Sequence, residues 1–170
     1  MAKTGPILGS FVFFLIAPAS IAGWVPYVLS RWRFRPPLVG ISAGRFLGAL
    51  IVVIGAAALM ECFGRFATRG RGTPAPIAPP QELVASGLYR YVRNPMYVAV
   101  VAVIVGQALL FGNVVLLEYA AIVGLLFHLF VLAYEEPTLR RRFGPSYDVY
   151  RTHVRRWWPR LRPWSNLAAD

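Results

Sequence analysis

Four long apolar blocks alternate along the chain with short segments rich in arginine, proline and glycine. The blocks cover residues 7–29, 44–66, 95–111 and 114–134. At 1.5 Å per residue, each is close to the length that a helix needs to cross a hydrocarbon layer of ~30 Å. The pattern predicts an all-α, polytopic integral membrane protein with about four to five transmembrane helices.

The last two blocks are separated by Gly112-Asn113 alone, which predicts a tight reversal. Residues 95–136 should therefore form an antiparallel helical hairpin, because two helices joined by so short a turn must run in opposite directions. The second helix returns the chain to the level at which the first begins. The acid pair Glu135-Glu136 is then expected to lie close to Arg93.

Beyond residue 136 the chain becomes basic and aromatic. Large side chains recur there at intervals of three and four residues, as on one face of an amphipathic helix: Phe143, Tyr147, Tyr150, Val154 and Trp157. Such a helix either lies on the membrane surface, the safer prediction, or packs over the polar end of the hairpin. The chain is predicted to be one integral membrane domain over residues 1–170, with N-terminal transmembrane helices (1–66), a cytoplasmic loop (67–94), a transmembrane hairpin (95–136) and a cytoplasmic amphipathic tail (137–170).

The composition agrees with a membrane location: 57% of residues are hydrophobic, mean hydropathy is +0.54 and the formal net charge is +11. Such basicity also suits nucleic acid, but these arginines flank apolar spans, so membrane lipids are the predicted partners and nucleic acid is not. The single cysteine, Cys62, excludes an intrachain disulfide. No second histidine stands at metal-ligand spacing from His128, so no metal is predicted.

Four spans would place both termini and the loop that contains Arg93 on one side of the membrane. The arginine bias assigns that side to the cytoplasm. Arg31, Arg33 and Arg35 would then lie outside, against the same rule. Either the first segment is re-entrant or split into two helices, or the rule is outweighed here.

Residues 83–97, LVASGLYRYVRNPMY, place polar and aromatic groups at the mouth of the third block. Pro95 suits the first turn of a helix, and Asn94 before it is biased towards an extended conformation. The free N–H groups of that turn, with Arg93 beside them, predict an anion site. Basic and aromatic residues are also ordinary anchors at a membrane interface, and residue type alone does not separate the two interpretations.

The segment GLYRYVRNPMY is followed after the hairpin by EEPTLRRRFGPSYDVYRTHVRRW. Together they closely resemble the cofactor signature of the isoprenylcysteine carboxyl methyltransferase and phospholipid methyltransferase superfamily of integral membrane enzymes. The resemblance extends over residues 83–159 and joins an R-[HN]-P-x-Y element to E-E-x-x-L-x-x-x-F-G-x-x-Y-x-x-Y. It implies methyl transfer from S-adenosylmethionine, held between the cytoplasmic end of the hairpin and the C-terminal segment.

The residues expected from this resemblance to bind the cofactor are Tyr89, Arg93, Asn94, Pro95, Tyr97, Glu135 and Glu136. Arg93 and the helix start suit the carboxylate, and the acid pair suits the ribose hydroxyls or the ammonium group. The tyrosines offer faces and hydroxyls to the adenine or the sulfonium. Asn94 stands where the best-known members carry histidine, and Arg155 replaces a proline that many members have.

For the methyl acceptor, Arg155 and Arg156 are expected to position a carboxylate, which needs no general base. An amine or a phenol would need one, and Glu136 and His128 are the candidates. The acceptor is predicted to be a lipophilic small molecule or lipid that enters sideways from the bilayer. A prenylated thiol-carboxylate, a phospholipid amine and a quinone- or terpenoid-like molecule all fit.

Two other functions remain open. A membrane reductase of the sterol C14 type uses a similar arginine-histidine-proline-tyrosine element with NADPH. Such enzymes typically have asparagine after the proline, where this chain has Met96. A non-catalytic membrane protein that uses the motif to dock a lipid or a partner is the second alternative.

Overall fold

The computed structural model describes residues 17–68 and 83–165. These residues form six α-helices: α1 (Val25–Ser30), α2 (Ala43–Thr68), α3 (Pro95–Phe111), α4 (Val114–Phe130), α5 (Glu136–Phe143) and α6 (Pro145–His153). π-helical turns over Ser20–Trp24 and Val131–Glu135 precede α1 and α5. No strand occurs within the described ranges, so the all-α prediction is confirmed for them. Much of the predicted first span and half of the predicted loop, residues 69–82, lie outside the described residues.

Helices α2 and α3 pack backbone against backbone through glycines. A Cβ atom added to Gly48 would lie 2.6 Å from the carbonyl oxygen of Gly106, and one added to Gly106 would lie 2.8 Å from that of Gly48. One added to Gly55 would lie 2.7 Å from the Val103 side chain. Small residues allow this close approach, which is a common way for helices to associate inside a bilayer. Gly48 and Gly55 of the second apolar block therefore bring α2 into close contact with α3.

The hairpin reverses at Gly112 and Asn113, as predicted. Gly112 has a φ of +65°, and a Cβ there would lie 2.2 Å from the Pro36 carbonyl oxygen. Asn113 is fully buried and its side chain accepts a hydrogen bond from the Val115 N–H, which caps α4. The N–H of Arg35 donates to the Phe111 carbonyl at 2.9 Å. The segment that contains the first arginine cluster therefore lies at this end of the hairpin, opposite Arg93.

The first π-turn frees two carbonyl groups, and the hairpin satisfies both. The N–H of Val25 donates to Ser20 rather than to Ile21, and Pro26 has no N–H to give Ala22. The Tyr119 hydroxyl donates to the Ile21 carbonyl at 3.0 Å, and Gln107 Nε2 donates to the Ala22 carbonyl at 2.7 Å. Unpaired backbone groups are costly in a bilayer, so these bonds hold the first helix against α3 and α4.

The tail contains two short helices and an extended segment in place of the single amphipathic helix expected. Gly144, with a φ of +51°, separates α5 from α6, and α6 ends at His153. Backbone hydrogen bonds then join the extended segment to residues 90–93: Arg160 N to Tyr91 O at 2.9 Å and Trp164 N to Arg90 O at 3.0 Å. The periodic side chains are therefore divided between two environments. Three of them, Tyr147, Tyr150 and Val154, form a small buried cluster.

Within residues 17–68 and 83–165, two helical stretches have the length and hydropathy to cross a membrane, Ala43–Arg65 and Val114–Phe143, and Pro95–Phe111 is an apolar helix of shorter length. Large apolar side chains on both long stretches are exposed, as on Phe46 (81%) and Leu126 (59%). A helix that is apolar all round without being buried is typical of a membrane span. The count of four to five spans remains a prediction, because the first block begins outside the described residues.

Candidate functional site

Two arginines from different parts of the chain bind one carboxylate at the open end of the hairpin. Arg156 forms a bidentate pair with Glu136, with Nε 2.6 Å from Oε1 and Nη2 3.0 Å from Oε2. Arg93 Nη2 lies 3.3 Å from the same Oε1 atom. Only 10% of the Arg93 side chain and 16% of the Glu136 side chain are exposed, so water screens these charges weakly. The hairpin has thus brought the acid pair to the level of Arg93, as its length predicts.

The neighbouring acid, Glu135, has a different partner. Its Oε2 atom accepts a hydrogen bond of 2.8 Å from the Tyr97 hydroxyl. The Tyr97 ring packs against Phe127 of α4, with ring centroids 4.6 Å apart. Adjacent residues on a helix point about 100° apart, so the two acids reach separate partners. The site therefore holds one acid bound to cations and one bound to a neutral hydroxyl group.

The tail completes the site with two tyrosines. Arg93 Nη1 donates to the Tyr147 hydroxyl at 3.2 Å, and the Tyr150 hydroxyl donates to the Tyr89 carbonyl at 2.6 Å. Burial raises the pKa of Tyr147 and Tyr150 above the usual tyrosine range, although the charge of Arg93 opposes the shift in both. The pKa of Arg156 is also raised, chiefly by its hydrogen bond to Glu136. The tyrosines are thus neutral and the arginine is charged near neutral pH.

Main-chain contacts fix the tail beside the start of α3. The Arg93 N–H donates to the Arg155 carbonyl at 2.9 Å, and Asn94 Nδ2 donates to the Arg156 carbonyl at 3.2 Å. Asn94 is buried, with φ −120° and ψ 56°, so its backbone falls short of the extended conformation expected. Pro95 stands in the first helical turn, as predicted. The Asn94 side chain therefore holds the tail and does not cap the helix.

One donor in this cluster has no acceptor in the part of the chain that the structure describes. Arg93 Nε is buried and has no hydrogen-bond partner among the described residues. A buried donor without an acceptor is costly, and such atoms in native structures call for a specific explanation. An anionic ligand oxygen beside the start of α3 would supply the acceptor, since the free N–H groups of a first helical turn also favour negative charge.

Two residues predicted for the site lie outside this cluster. The Tyr89 side chain is buried in the core beside Cys62, and burial, together with Cys62, raises the pKa of its hydroxyl. It takes part in the site through its carbonyl group, which binds Tyr150. The Arg155 side chain is exposed and forms no hydrogen bond or ion pair with the described residues, whereas its carbonyl binds the Arg93 N–H. Both residues therefore contribute backbone groups to the site.

A groove of about 300 Å³ lies beside the cluster, between α3 and α4. Its lining is almost entirely apolar and consists of Tyr97, Val98, Val101, Gly124, Phe127, His128 and Trp157. Tyr97 joins the groove to Glu135, and Trp157 follows Arg156 in the chain. The Trp157 indole N–H donates to His128 Nδ1 at 3.0 Å. The groove thus lies next to the charged cluster, through Tyr97, and is bordered by Trp157 of the tail.

Sequence reasoning overlooked two residues that the structure brings to this region, Tyr147 and Trp157. Both belong to the periodic aromatic pattern of the tail, which indicated a buried face without identifying what would cover it. The signal was therefore present, but the break at Gly144 and the extended segment after His153 redirected the side chains. The break at Gly144 is local, because this glycine has a positive φ and precedes Pro145. The course of the extended segment depends on contacts with residues some 60 positions away in the chain, such as Asn94 with Arg156.

Comparison with known proteins identifies one family. The profile of one family, described as phospholipid methyltransferase, matches residues 43–146. The match begins with α2 and ends at the start of α6, so it contains the hairpin, Arg93 and both acids. No match was found among curated proteins or among solved structures. Because the matched segment exceeds half of the 170 residues, the chain belongs to the phospholipid methyltransferase family, within the superfamily of integral membrane methyltransferases that includes the isoprenylcysteine carboxyl methyltransferases.

Proposed function

We propose that the chain transfers a methyl group from S-adenosylmethionine to a lipophilic acceptor, a small molecule or a lipid, inside the membrane. The observation that carries this proposal is the nearly buried Arg93 side chain, whose Nε atom has no acceptor among the described residues and lies beside Glu136 and the start of α3. Together these groups offer a donor, an acceptor and a helix N-terminus within one enclosed site. Family membership supports the reaction class.

The chemistry of the donor fits these residues. S-adenosylmethionine supplies an electrophilic methyl group on a sulfonium, together with a carboxylate, an ammonium and a ribose diol. Arg93 and the N-terminus of α3 suit the carboxylate. Glu136 would bind the ammonium or the ribose by exchanging one guanidinium partner, since both its oxygens already accept hydrogen bonds from Arg156. Tyr97 and Glu135 would bind the remaining polar groups of S-adenosylmethionine.

The acceptor is proposed to lie in the groove between α3 and α4. Its apolar lining suits a lipid tail, and Tyr97 and Trp157 at the end nearest the cluster exclude water from the reacting atoms. Holding the two reactants in line supplies much of the acceleration in such a transfer. Arg156 would position an anionic acceptor only after releasing Glu136. We expect this end of the hairpin to face the cytoplasm.

The direct test is transfer of a labelled methyl group from S-adenosylmethionine into a membrane lipid extract, with the product identified by mass. We expect Glu136→Gln to weaken S-adenosylmethionine binding by at least about tenfold, because a charge-assisted hydrogen bond contributes about 1.5–3 kcal/mol. Glu118→Gln is the matched control, since Glu118 is an exposed acid near the opposite end of the same hairpin.

Binding measurements with NADPH and S-adenosylmethionine on the same protein distinguish the proposed methyltransferase from the two alternatives, a reductase and a non-catalytic docking protein. Tight NADPH binding without affinity for S-adenosylmethionine would identify a reductase. A folded Glu136→Gln variant that binds S-adenosylmethionine like the wild type would remove the acid from the proposed site. A wild-type protein that binds neither cofactor would favour a docking role.

A further inference from the structure

The pair formed by His128 and Trp157 has a fixed hydrogen-bond direction. An indole N–H can only donate, so His128 Nδ1, 3.0 Å away, must present its lone pair. A neutral imidazole with an unprotonated Nδ1 carries its proton on Nε2. The contact therefore selects the Nε2–H tautomer of His128. The two rings also pack together, with centroids 5.9 Å apart.

The remaining polar atom of the pair is available to a ligand. His128 lines the groove and is half-buried. Within residues 17–68 and 83–165, its Nε2 atom has no hydrogen-bond partner. Gly124 stands one turn before His128, and a Cβ added there would come no closer than 4.0 Å to Val101. The absence of a side chain at Gly124 therefore leaves space in the groove next to the imidazole.

We propose that His128 is a positioning residue: its Nε2–H donates a hydrogen bond to an oxygen atom of the lipophilic acceptor in the groove, and Trp157 fixes it as a donor. This presupposes the methyltransferase function proposed above. The acceptor would be an apolar molecule with a carbonyl, carboxylate or ether oxygen a short distance from the methylated atom. The rest of its body would lie against Val98, Val101 and Phe127.

The same geometry excludes His128 as a general base while the pair is intact. Nε2 already carries a proton, and protonation of Nδ1 would place two donors opposite each other and break the bond from Trp157. The substitution His128→Gln distinguishes a general base from a hydrogen-bond donor. Glutamine reproduces both functions of this tautomer, since its oxygen accepts from Trp157 and its amide donates, but it cannot take up a proton.

The decisive experiment compares His128→Phe with His128→Gln in the full-length protein reconstituted in lipid vesicles. We expect His128→Phe to raise KM for the lipid acceptor by about 3- to 10-fold, the range for losing one neutral hydrogen bond, with an unchanged Kd for S-adenosylmethionine. His128→Gln should recover most of that loss. His153→Phe, the same change at the only other histidine, should leave KM unchanged. A His128→Gln variant as defective as His128→Phe, or an unaltered KM in His128→Phe, would overturn the proposal.

A second readout does not depend on activity. With only two histidines in the chain, ¹⁵N labelling of histidine gives two imidazole spectra, and the His128→Gln variant assigns them. We expect His128 to show a protonated Nε2 and an unprotonated Nδ1 in the wild type, and Trp157→Phe to relax that preference. The Nδ1–H tautomer in the wild type would refute the pair even if methyl transfer is found. The expected tautomer without methyl transfer would instead refute the proposed function, and with it the role towards an acceptor, while the hydrogen bond between Trp157 and His128 would stand.

Discussion

Arg93 combines a nearly buried side chain, a shared acidic partner and an Nε donor that has no acceptor within residues 17–68 and 83–165. Arginine keeps its charge under all ordinary conditions, so such a group needs compensation from its surroundings. Glu136 provides part of it but is shared with Arg156, whose contact is shorter by 0.7 Å (3.3 against 2.6 Å). The Glu136 carboxylate therefore binds mainly to Arg156, and Arg93 is the arginine better placed to bind an anionic ligand.

Arg93→Met should consequently raise the Kd for S-adenosylmethionine by about 10- to 100-fold, because a charge-assisted hydrogen bond contributes about 1.5–3 kcal/mol. Equilibrium binding of labelled cofactor to the purified protein measures this directly. Arg33→Met is the matched control, since Arg33 is exposed near the opposite end of α3. Equal affinities in both variants would remove Arg93 from the site.

The buried tyrosines of the tail predict a loss of stability in alkali. Burial raises the folded-state pKa of Tyr147 and Tyr150 above the unfolded value of about 10. The folded chain then retains protons that the unfolded chain has released, so stability is constant below about pH 10 and falls as the pH rises further. Unfolding in detergent between pH 8 and 11.5 measures the slope. Tyr150→Phe should reduce that slope and lower stability at pH 8 by about 1–2 kcal/mol, whereas the exposed Tyr134→Phe should change neither.

Among the helical elements, the first π-turn shows how proline is accommodated in an apolar environment. The two freed carbonyls are bound by side chains from different helices, Gln107 of α3 and Tyr119 of α4. Gln107 also accepts a hydrogen bond of 3.1 Å from the Trp32 indole, so one amide joins both ends of α1 to the hairpin. These polar side chains inside apolar helices therefore hold the first helix in place.

Gln107→Leu and Tyr119→Phe should each lower the free energy of unfolding by about 1–2 kcal/mol, because each leaves a backbone carbonyl in apolar surroundings without its donor. Unfolding in mixed micelles with a denaturing detergent gives the values. Tyr134→Phe is the control, since the Tyr134 side chain is 46% exposed. Losses no larger than in that control would show that water or lipid headgroups satisfy the carbonyls.

The contact between α2 and α3 predicts a position-dependent response to a single methyl group. Gly106→Ala should destabilise the protein by about 1–3 kcal/mol, since the new Cβ would lie 2.8 Å from the Gly48 carbonyl oxygen and 3.0 Å from the Val52 nitrogen. Gly44→Ala places the same methyl group near the start of α2, where no atom lies within 4 Å, and should be tolerated. Equal effects would show that helix propensity, and not packing, determines the response.

At the scale of the whole molecule, the sequence predicts what local rules determine. The bounds of α3 follow from Pro95 and Gly112, and the level of Glu136 follows from the two helix lengths. The course of the tail could not be predicted, because its hydrogen bonds join residues 90–94 to residues 155–164 and neither segment shows a preference for the other. For the same reason Arg155 and Arg156 were indistinguishable in the sequence, although only Arg156 reaches Glu136.

The hairpin geometry also predicts where the two arginine-rich regions lie relative to the membrane. Ser42 precedes α2 and lies at the end of the hairpin where the Arg35 N–H binds the Phe111 carbonyl. Ser146 lies in α6, near the proposed site. Both serines are exposed, and the only native cysteine is fully buried.

If α2 and the hairpin cross the bilayer, Ser42→Cys and Ser146→Cys will react with an impermeant maleimide from opposite sides of sealed vesicles, and Ser146→Cys will react from the cytoplasmic side. The wild type should stay unlabelled and serves as the control. Labelling of both variants from one side would mean that neither α2 nor the hairpin crosses the membrane, and it would contradict the proposed entry of the acceptor from within the bilayer.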